Sequence, residues 1–521
     1  MYIHGDLPSM PIPDELRRYV PRTDLYDSYD LIHYHMPIEQ PPSTTSYIIF
    51  KKGNKTYAKN GVYGHIEYED ENATTTLQNV TDALRGSIDH SLTGNNARGI
   101  AKGLIFIKDD IEITSTIDLA DTVGLKIVGK AREYGTKISI KVDNAPAFDL
   151  TNARHLIFEN LQFRVESGYT PTTIFLLARD SSGASAGDHA FISCAFEDLN
   201  GGVTSAGIYN YASEVNNFID CKFHIYGKYA VKLTTSNIDG LESPFKTIAS
   251  GSRSTLQNRF FGCEFYGGTS PSDRIGIEGG GNHAFIGCYF GSGPKTAYAF
   301  HLLQPVNTST VVRGLWVYGC RFEDRIITSD TPNGASITIR ALSLIDCDVD
   351  ADDTAPIIDL NKFNDTYNVA ALNPRIKGVR LYNIHNRAYE YAFRTLRNPE
   401  FYLAEYIYDP KLTVTNELVS GIIYMYDSAN LNITGSLHNA PIIICHKGGG
   451  TVNSGTATIA AGSTSVTVSH GLVTTPSKVL VTPISDPGDR YWVANIGSTS
   501  FDIVVATAPT VDIDFYWEAE V

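Results

Sequence analysis

The amino-acid sequence predicts an all-β solenoid, in which short strands stack in successive coils along one axis. One observation is a six-residue phrase that recurs through the middle of the 521-residue chain without any helical periodicity. The other is the third position of that phrase, which is largely restricted to residues that tolerate a positive φ. Successive corners lie 25 to 42 residues apart. A strand-rich repeat of this length is typical of a solenoid built from one coil per repeat.

The phrase reads Phe191-Ile192-Ser193-Cys194-Ala195-Phe196 in its first full copy and returns at 218–223, 260–265, 285–290, 317–322 and 344–349. Its corner slot holds Ser193, Asp220, Gly262, Gly287, Gly319 and Asp346, and looser copies place Gly129, Asn160 and Asn383 there. A positive-φ residue between two apolar runs predicts strand, sharp bend, strand. Six of the seven cysteines share one slot, so we expect a column of buried free thiols rather than disulfides or a metal site.

These corners and ladders resemble the right-handed parallel β-helix of the pectate-lyase-like superfamily, over roughly residues 100 to 400. The resemblance implies a right-handed parallel β-helix, assigned here to residues 101–447, with stacked Cys and Phe columns inside. The resemblance is specific for the architecture but indicates almost nothing about the reaction, because this architecture hosts several unrelated activities.

The segments before the β-helix predict an arm and a cap. Residues 1–45 are rich in Pro and Tyr, which predicts an extended N-terminal arm that lies on a neighbouring subunit or a larger particle, the alternative being a disordered tail. Residues 46–100 predict a β-hairpin and then a short amphipathic helix with Leu77, Val80 and Leu84 on one face. Such a helix would cover the open first coil, whose edge is otherwise unpaired. The order of these segments also resembles the entry to viral tailspike β-helices.

The C-terminal segment, residues 451–521, predicts a small separate β module of sandwich type. Its last strand alternates Val511, Ile513, Phe515 and Trp517 with polar residues. About 70 residues is small for an independent core. The run from Ser469 to Pro483 resembles modules that hold three chains together at the ends of β-helix fibre proteins, which implies a homotrimer.

Composition and sequence motifs limit the classes of partner and cofactor that are expected. A formal net charge of −15 argues against nucleic acid. No apolar run is long enough to cross a bilayer, and the N-terminus lacks a Sec-type signal peptide. We therefore expect no membrane insertion and an extracellular or virion-associated protein delivered without a Sec signal. No nucleotide loop, metal-ligand set or nucleophile elbow is present in the sequence, so no cofactor and no metal are expected.

The outward residues that follow each corner form the candidate site. Catalytic candidates are Asp273 and Glu278 as a carboxyl pair for glycoside hydrolysis, and His301 as a base for elimination from a uronate. The substrate-binding candidates are Tyr209, Tyr211, Lys232 and Asp359, because aromatic rings pack on sugar faces and charged groups supply hydrogen bonds.

These features predict a trimeric, tailspike-like fibre protein that binds a cell-surface polysaccharide. Whether it also depolymerises that polysaccharide, as a hydrolase or a lyase, is left open by the sequence. The alternatives are a non-enzymatic structural or receptor-binding spike and a free-standing polysaccharide lyase or hydrolase.

Overall fold

The structure of the chain is a computed structural model. It describes residues 46–86, 99–131, 135–181, 186–249, 255–267, 273–291, 296–304, 310–330, 337–339, 341–350, 356–360, 379–382, 390–397, 400–403, 411–425, 431–434, 436–438, 441–445 and 452–521. The predicted arm, the corner at Asn383 and the expected boundary at 448–450 lie outside these residues.

Three long sheets run side by side along the coils, and their strands pair in parallel from one coil to the next, apart from a hairpin at the start. In spatial order the first sheet contains Ile66–Asp70, Lys55–Asn60, Tyr47–Lys52, Gly99–Ile107, Thr122–Val128, Ile157–Glu159, Ala190–Ile192, Asn217–Ile219, Arg259–Phe261, His283–Ile286, Leu315–Tyr318, Leu342–Ile345, Val379–Tyr382, Glu400–Leu403, Ile422–Met425 and Ile442–Cys445.

The second and third sheets have the same coil-by-coil pairing. The second contains Ile111–Ile113, Thr136–Ile140, Leu161–Val165, Ala195–Asp198, Lys222–Ile225, Glu264–Tyr266, Tyr289–Gly291, Arg321–Phe322 and Asp348–Val349. The third contains Ile117–Asp118, Phe148–Asp149, Thr173–Ala178, Ala206–Tyr211, Tyr229–Thr234, Ile275–Ile277, Tyr298–Leu302, Arg325–Ser329, Ile358–Leu360, Glu390–Arg397, Lys411–Val419 and Leu431–Ile433, with Ser436–His438 beside it. The predicted right-handed parallel β-helix is thus confirmed.

Two short parallel pairs lie beside the three sheets. They are Ala186–Gly187 with Ser213–Glu214, and Thr310–Val312 with Ile337–Ile339.

The corners have the predicted conformation. Positive φ is found at Asn160 (54°), Ser193 (49°), Asp220 (52°), Gly262 (60°), Gly287 (62°), Gly319 (60°) and Asp346 (52°). The corner prediction for Gly129 is wrong, because its φ is not positive. A Cβ at Gly129 would lie 2.1 Å from the carbonyl oxygen of Asn160. Close approach of the next coil, rather than left-handed backbone, therefore requires glycine there.

Two columns of stacked phenylalanines fill the interior. One includes Phe191, Phe218, Phe260 and Phe285, whose successive ring centroids lie 4.5 to 4.9 Å apart with nearly parallel planes. A second column follows the corners and includes Phe196, Phe223, Phe265, Phe290 and Phe322. Each aromatic contact adds about 0.5–1.5 kcal/mol beyond simple burial.

The cysteine column lies beside the phenylalanines. The thiols of Cys194, Cys221, Cys263, Cys288, Cys320 and Cys347 are free and buried, as predicted. Their S–H groups lie within hydrogen-bond reach of carbonyl oxygens of the preceding coil, for example 3.3 Å from Cys221 Sγ to Phe191 O. Burial raises the pKa of Cys347 to about 12, so this thiol stays protonated at neutral pH.

A hairpin and a helix stand at the beginning of the β-helix. The hairpin strands Tyr47–Lys52 and Lys55–Asn60 extend the first sheet, and Ile66–Asp70 adds a third strand. Helix α1, Ala73–Arg85, begins at Asn72, whose side chain accepts a hydrogen bond from the N–H of Thr74. Leu77 and Val80 are fully buried in the same core as the first coils. In the described part of the chain, no helix is long and apolar enough to span a membrane.

The C-terminal residues form two three-stranded antiparallel sheets. One contains Val452–Ile459, Ile513–Glu520 and Lys478–Pro483, and the other contains Ser465–Ser469, Ser500–Val505 and Tyr491–Ala494. Ile513, Phe515 and Trp517 alternate into their common core, which also contains Phe501. Val511 does not: it precedes the strand and is 63% exposed.

Candidate functional site

The outer face of the third sheet aligns one residue from each of six successive coils in a column. Strand register aligns Tyr209, Lys232, Gly276, His301, Thr328 and Asp359. The residues that precede them in each strand, such as Val231 and Phe300, are buried in the interior. Because side chains alternate along a strand, the column faces away from the core, as the sequence predicts for all its members except Thr328.

His301 is held between two carboxylates on this face. Its Nδ1 lies 2.7 Å from Asp273 Oδ2, and its Nε2 lies 2.8 Å from Asp330 Oδ1. The backbone N–H of Tyr298 donates to Asp273 Oδ1 at 2.7 Å, and that of Gln304 donates to Asp330 Oδ2 at 2.9 Å. The imidazole and both carboxylates are therefore fixed in place, and the Asp330 side chain, 38% exposed, is the most accessible of the three.

The two carboxylates set the protonation of His301. Burial alone would lower its pKa, but hydrogen bonds and charge interactions with Asp273 and Asp330 outweigh burial and raise the pKa to about 9. The ring is then an imidazolium at neutral pH, with both N–H groups donating. His301 in this state is a proton donor and a positive charge, rather than the base predicted from the sequence.

Tyr229 completes this group, which we call the His301 cluster (Tyr229, Asp273, His301 and Asp330). The Tyr229 hydroxyl oxygen lies 3.0 Å from His301 Nδ1. Burial first, and then the nearby carboxylates, raise the pKa of Tyr229, so its hydroxyl stays protonated. A doubly protonated imidazole cannot accept a hydrogen bond, so the Tyr229 oxygen accepts and its own proton can be donated elsewhere.

Gly276 allows this contact across an intervening coil. Tyr229 and His301 lie two coils apart, and the coil between them carries Gly276 in register with Lys232 and His301. A Cβ on Gly276 would lie 2.8 Å from Leu303 Cδ1 and 3.3 Å from Tyr229 Cδ1. The missing side chain therefore leaves the depression across which the tyrosine reaches.

Lys232 is engaged by a carboxylate outside the column. Its Nζ lies 2.6 and 2.8 Å from the two oxygens of Asp239 and 5.2 Å from the centroid of the Tyr229 ring. Asp239 also accepts a short hydrogen bond from Ser205. The lysine is 8% exposed, so it borders the His301 cluster as one partner of an ion pair.

Asp239 belongs to residues 235–249, which we call the covering segment. This segment lies against the outer face of the third sheet beside Tyr209 and Tyr211, both fully buried. The Tyr209 hydroxyl donates to Asn237 Oδ1 at 3.2 Å, and that of Tyr211 donates to the carbonyl of Ala249 at 2.9 Å. These two predicted substrate-binding residues do point outward from the β-helix, but their rings do not face solvent.

Glu278 is also bound to the covering segment. Its Oε2 accepts hydrogen bonds from the N–H of Thr235 (2.5 Å), the hydroxyl of Thr235 (2.9 Å) and the N–H of Ser236 (2.9 Å). Burial raises its pKa, although these hydrogen bonds oppose the change. With 2% exposure, Glu278 anchors the segment rather than facing a ligand.

The predicted carboxyl pair is therefore not assembled by the structure. Asp273 bonds to the following coil and Glu278 to the preceding one, and they have no hydrogen-bond partner in common. Asp273 instead faces Asp330 across the imidazole of His301. Two hydrogen bonds and the width of one ring separate these carboxylates, which places the bonded oxygens at most about 8 Å apart.

Asp359 lies farther along the column, half-buried and in register with Thr328. After burial, its charge is the next largest cause that raises the pKa of Tyr298, whose hydroxyl donates to the carbonyl of Pro356 at 3.0 Å. The predicted residues that remain accessible are thus His301, Asp273 and Asp359, with Lys232 at the border.

Sequence reasoning missed Tyr229, Asp239 and Asp330. Asp330 directly follows the strand Arg325–Ser329, which begins only a few residues after the corner phrase that ends at Phe322. Because this spacing is shorter than in the other coils, the sequence did not indicate that Thr328 belongs to the column. The signal for Asp239 was the longest corner spacing, 42 residues between Asp220 and Gly262, which contains the covering segment. In the described part of the chain, no group of three or more His, Cys, Asp or Glu side chains has a metal-binding arrangement.

No protein-family profile and no curated protein matches the sequence. Solved structures that match this chain include the tailspike of Acinetobacter phage vB_ApiP_P1, at 13% identity over 86% of this chain and 84% of that chain, with a TM-score of 0.33. The Acinetobacter baumannii bacteriophage Fri1 tailspike, described as a capsular polysaccharide depolymerase, is 10% identical over 86% and 82%, with a TM-score of 0.32. A mannuronic acid specific lyase from human gut microbiota is 12% identical over 68% and 80%, with a TM-score of 0.28.

Proposed function

We propose that the outer face of the third sheet, from Tyr229 to Asp359, binds a cell-surface polysaccharide and that the His301 cluster hydrolyses it. The single observation that carries this proposal is the pair of carboxylates, Asp273 and Asp330, fixed on opposite sides of His301 and beside a protonated tyrosine. Successive coils lie about 4.8 Å apart along this face, and such an extended, regularly spaced surface suits a linear polymer. Tyr229 and Tyr298 supply ring surface, and the carboxylates supply acceptors for sugar hydroxyls.

The carboxylate separation is compatible with hydrolysis with inversion. Inverting glycosidases place their two carboxyl groups about 6.5–9.5 Å apart, and a separation of at most about 8 Å is compatible with that range. Asp330, the more exposed group, would take a proton from the attacking water. The Asp273–His301 pair would deliver a proton to the leaving oxygen as the glycosidic bond breaks, so that one water is consumed per bond.

The fibre architecture belongs to the same proposal. A homotrimer is supported by apolar side chains exposed on the C-terminal sheets, Leu480 (51%) and Tyr516 (59%). It is also supported by an in-register column of half-buried or exposed apolar residues on the first sheet, which consists of Ile192, Ile219, Phe261, Ile286, Tyr318 and Ile345. Residues 1–45 would attach the trimer to a virion or a similar particle, which would make the protein virion-associated or extracellular.

The test is a panel of purified bacterial capsular polysaccharides, O-antigen polysaccharides and alginate, assayed for binding, for new reducing ends and for absorbance of unsaturated products. We expect reducing ends without that absorbance. Asp330→Asn and Asp273→Asn should each lower turnover by about 100-fold or more while binding persists. Asp348→Asn, an exposed carboxylate of the second sheet, is the matched control and should act like the unchanged protein.

Other results would redirect or end the proposal. Unsaturated products would indicate a lyase instead of a hydrolase. Binding without any cleavage would indicate a receptor-binding spike. One observation favours this alternative: Asp273 and Asp330 already accept hydrogen bonds within the protein, as expected for carboxylates with a structural role. If the protein binds no polysaccharide of the panel, the proposed function is contradicted.

A further inference from the structure

We propose that the covering segment forms a closed end of the polysaccharide groove and that Asp239, at its edge, is the residue that positions Tyr229. This inference rests on the proposed function. It concerns how far a bound polymer extends along the face and which residue holds the aromatic ring at the first accessible coil.

Exposure changes abruptly along the third-sheet face. Leu176, Tyr209 and Tyr211 are fully buried outside the β-helix core, in an apolar cluster with Leu241 and Ala249 of the covering segment. One coil later Tyr229 is half-buried, and His301 and Asp330 beyond it keep 18% and 38% of their side chains exposed. A ligand on this face therefore meets a wall at the coil of Tyr229 and Lys232.

The wall is fastened by buried charges. Lys246 Nζ lies 3.1 Å from Asp121 and 3.4 Å from Asp180, and all three side chains are at most 6% exposed. Ser243 donates a short hydrogen bond to Asp149, and the N–H of Ala249 donates to the carbonyl of Arg179 at 3.0 Å. Removing one partner of such a buried ionic group is strongly destabilising, so these contacts hold the segment against the sheet.

A chain of side-chain contacts links the edge of the wall to the His301 cluster. Asp239 binds Lys232 through both carboxylate oxygens, and Lys232 lies against the ring of Tyr229. Gly276 leaves room for that ring, and the hydroxyl of Tyr229 reaches His301. Asp239 touches neither His301 nor the proposed reacting atoms, and it acts on them through the position of Tyr229.

The closed end fixes where the accessible face begins, and the face ends after Asp359, because the next residue in register, Ala392, is fully buried. The accessible coils are those that contain Tyr229, Asp273, His301, Asp330 and Asp359. Four steps of about 4.8 Å give a face about 19 Å long, which accommodates a short oligosaccharide. One end of the bound oligosaccharide abuts the Lys232–Asp239 pair, so recognition is directional along the β-helix.

The experiment measures affinity against ligand length. The probes are fragments graded by length, prepared by partial acid hydrolysis from the panel polysaccharide that binds the full chain. We expect the affinity to rise with fragment length and then to stop rising, within the span of the accessible coils. Affinity that keeps increasing with fragments longer than this span would overturn the closed end. If no panel polysaccharide binds the unchanged protein, the proposed function and this inference fail together.

Two variants test the named residues. Asp239→Asn should weaken binding of the shortest fragments several-fold, leave the length limit unchanged and shift the NMR titration of His301. Unchanged binding and an unchanged titration would refute the positioning role, and the proposed function would survive. Lys246→Met should loosen the covering segment in hydrogen exchange and move the length limit to longer fragments as Tyr209 and Tyr211 become accessible. If the segment loosens but the length limit stays the same, the covering segment does not close the groove. Lys222→Met on the second sheet is the matched control.

Discussion

At the scale of single residues, His301 gives the clearest dependence on pH. Its pKa of about 9 in the folded chain exceeds the value of about 6.5 expected for an unfolded one. The contribution of protonated His301 to the free energy of unfolding is therefore fully present below pH about 6.5 and is lost as the pH rises through about 9. We predict that His301→Gln destabilises the protein by up to roughly 3 kcal/mol at pH 6 and by much less at pH 10.

Urea unfolding at the two pH values measures this difference. His65→Gln is the control, because His65 is 57% exposed beside Glu67 and should matter little at either pH. A loss of stability from His301→Gln that is equal at pH 6 and pH 10 would show that the two carboxylates do not hold a proton on the imidazole.

The corner residues give a prediction with a control at the same position. Gly287 has a φ of 62°, and a Cβ there would meet no atom within 4 Å. Backbone conformation alone therefore decides the cost of a substitution. Gly287→Val should destabilise by about 1–2 kcal/mol more than Gly287→Asn, because a β-branched residue resists the left-handed region that Asn tolerates. Equal thermal shifts for the two variants would contradict this account.

The corners were predictable from the sequence for the same physical reason. Positive φ restricts which residues can occupy a position, so the residue types at Asp220, Gly262 and Asp346 indicate their backbone conformation. No residue type indicates the contact between Tyr229 and His301. It joins residues two coils apart and depends on a missing side chain at Gly276, and the loops that set the alignment differ in length from coil to coil.

At the scale of elements, the covering segment is the part that sequence patterns describe least well. Strand alternation predicted correctly that Tyr209 and Tyr211 point away from the core. It could not predict that a loop inserted one coil later returns over them, because the loop is held by side-chain contacts and one isolated bridge between Ile248 and Asp180 rather than by a strand ladder.

Lys246 is the anchor of that segment, and its removal should be costly. Lys246→Met leaves Asp121 and Asp180 buried without the ammonium group that faces both. We expect a loss of about 3–5 kcal/mol in the free energy of unfolding. Lys222→Met breaks a surface pair with Glu264, at 32% and 33% exposure, and should cost only about 0–1 kcal/mol. Comparable losses for the two variants would mean that the covering segment is not fastened by Lys246.

At the scale of the whole molecule, the cysteine column reports the integrity of the β-helix. In a Cys445→Ser background, the six described thiols should resist a thiol reagent in native buffer and react together on unfolding, because they are at most 1% exposed. The measurement is the number of modified thiols against time, with and without denaturant. Fast reaction of several thiols in the native protein would contradict an interior column.

Assembly is the second prediction at this scale. Light scattering of the full chain should give the mass of three copies, since the C-terminal sheets expose apolar side chains such as Leu480 and Tyr516. A chain truncated to residues 1–450 should lose the trimer, with circular dichroism as the control for an intact β-helix. A monomeric full chain at micromolar concentration would refute the trimer, and a trimer that survives truncation would place the main contact on the β-helix.

The phenylalanine columns have a consequence for how such a chain can change its length in evolution. Each ring stacks on its neighbours in the adjoining coils and otherwise contacts rings of the second column and the third sheet, for example Phe265. The stacking of Phe218 on Phe260 is nearly identical to that of Phe260 on Phe285. Removing residues 262–286 would join Phe261 directly to Gly287 and restore an intact corner phrase. Whole coils are therefore units that duplication or deletion can add or remove without a new core, so the length of the β-helix and the set of its outward-facing residues can change while the fold is kept.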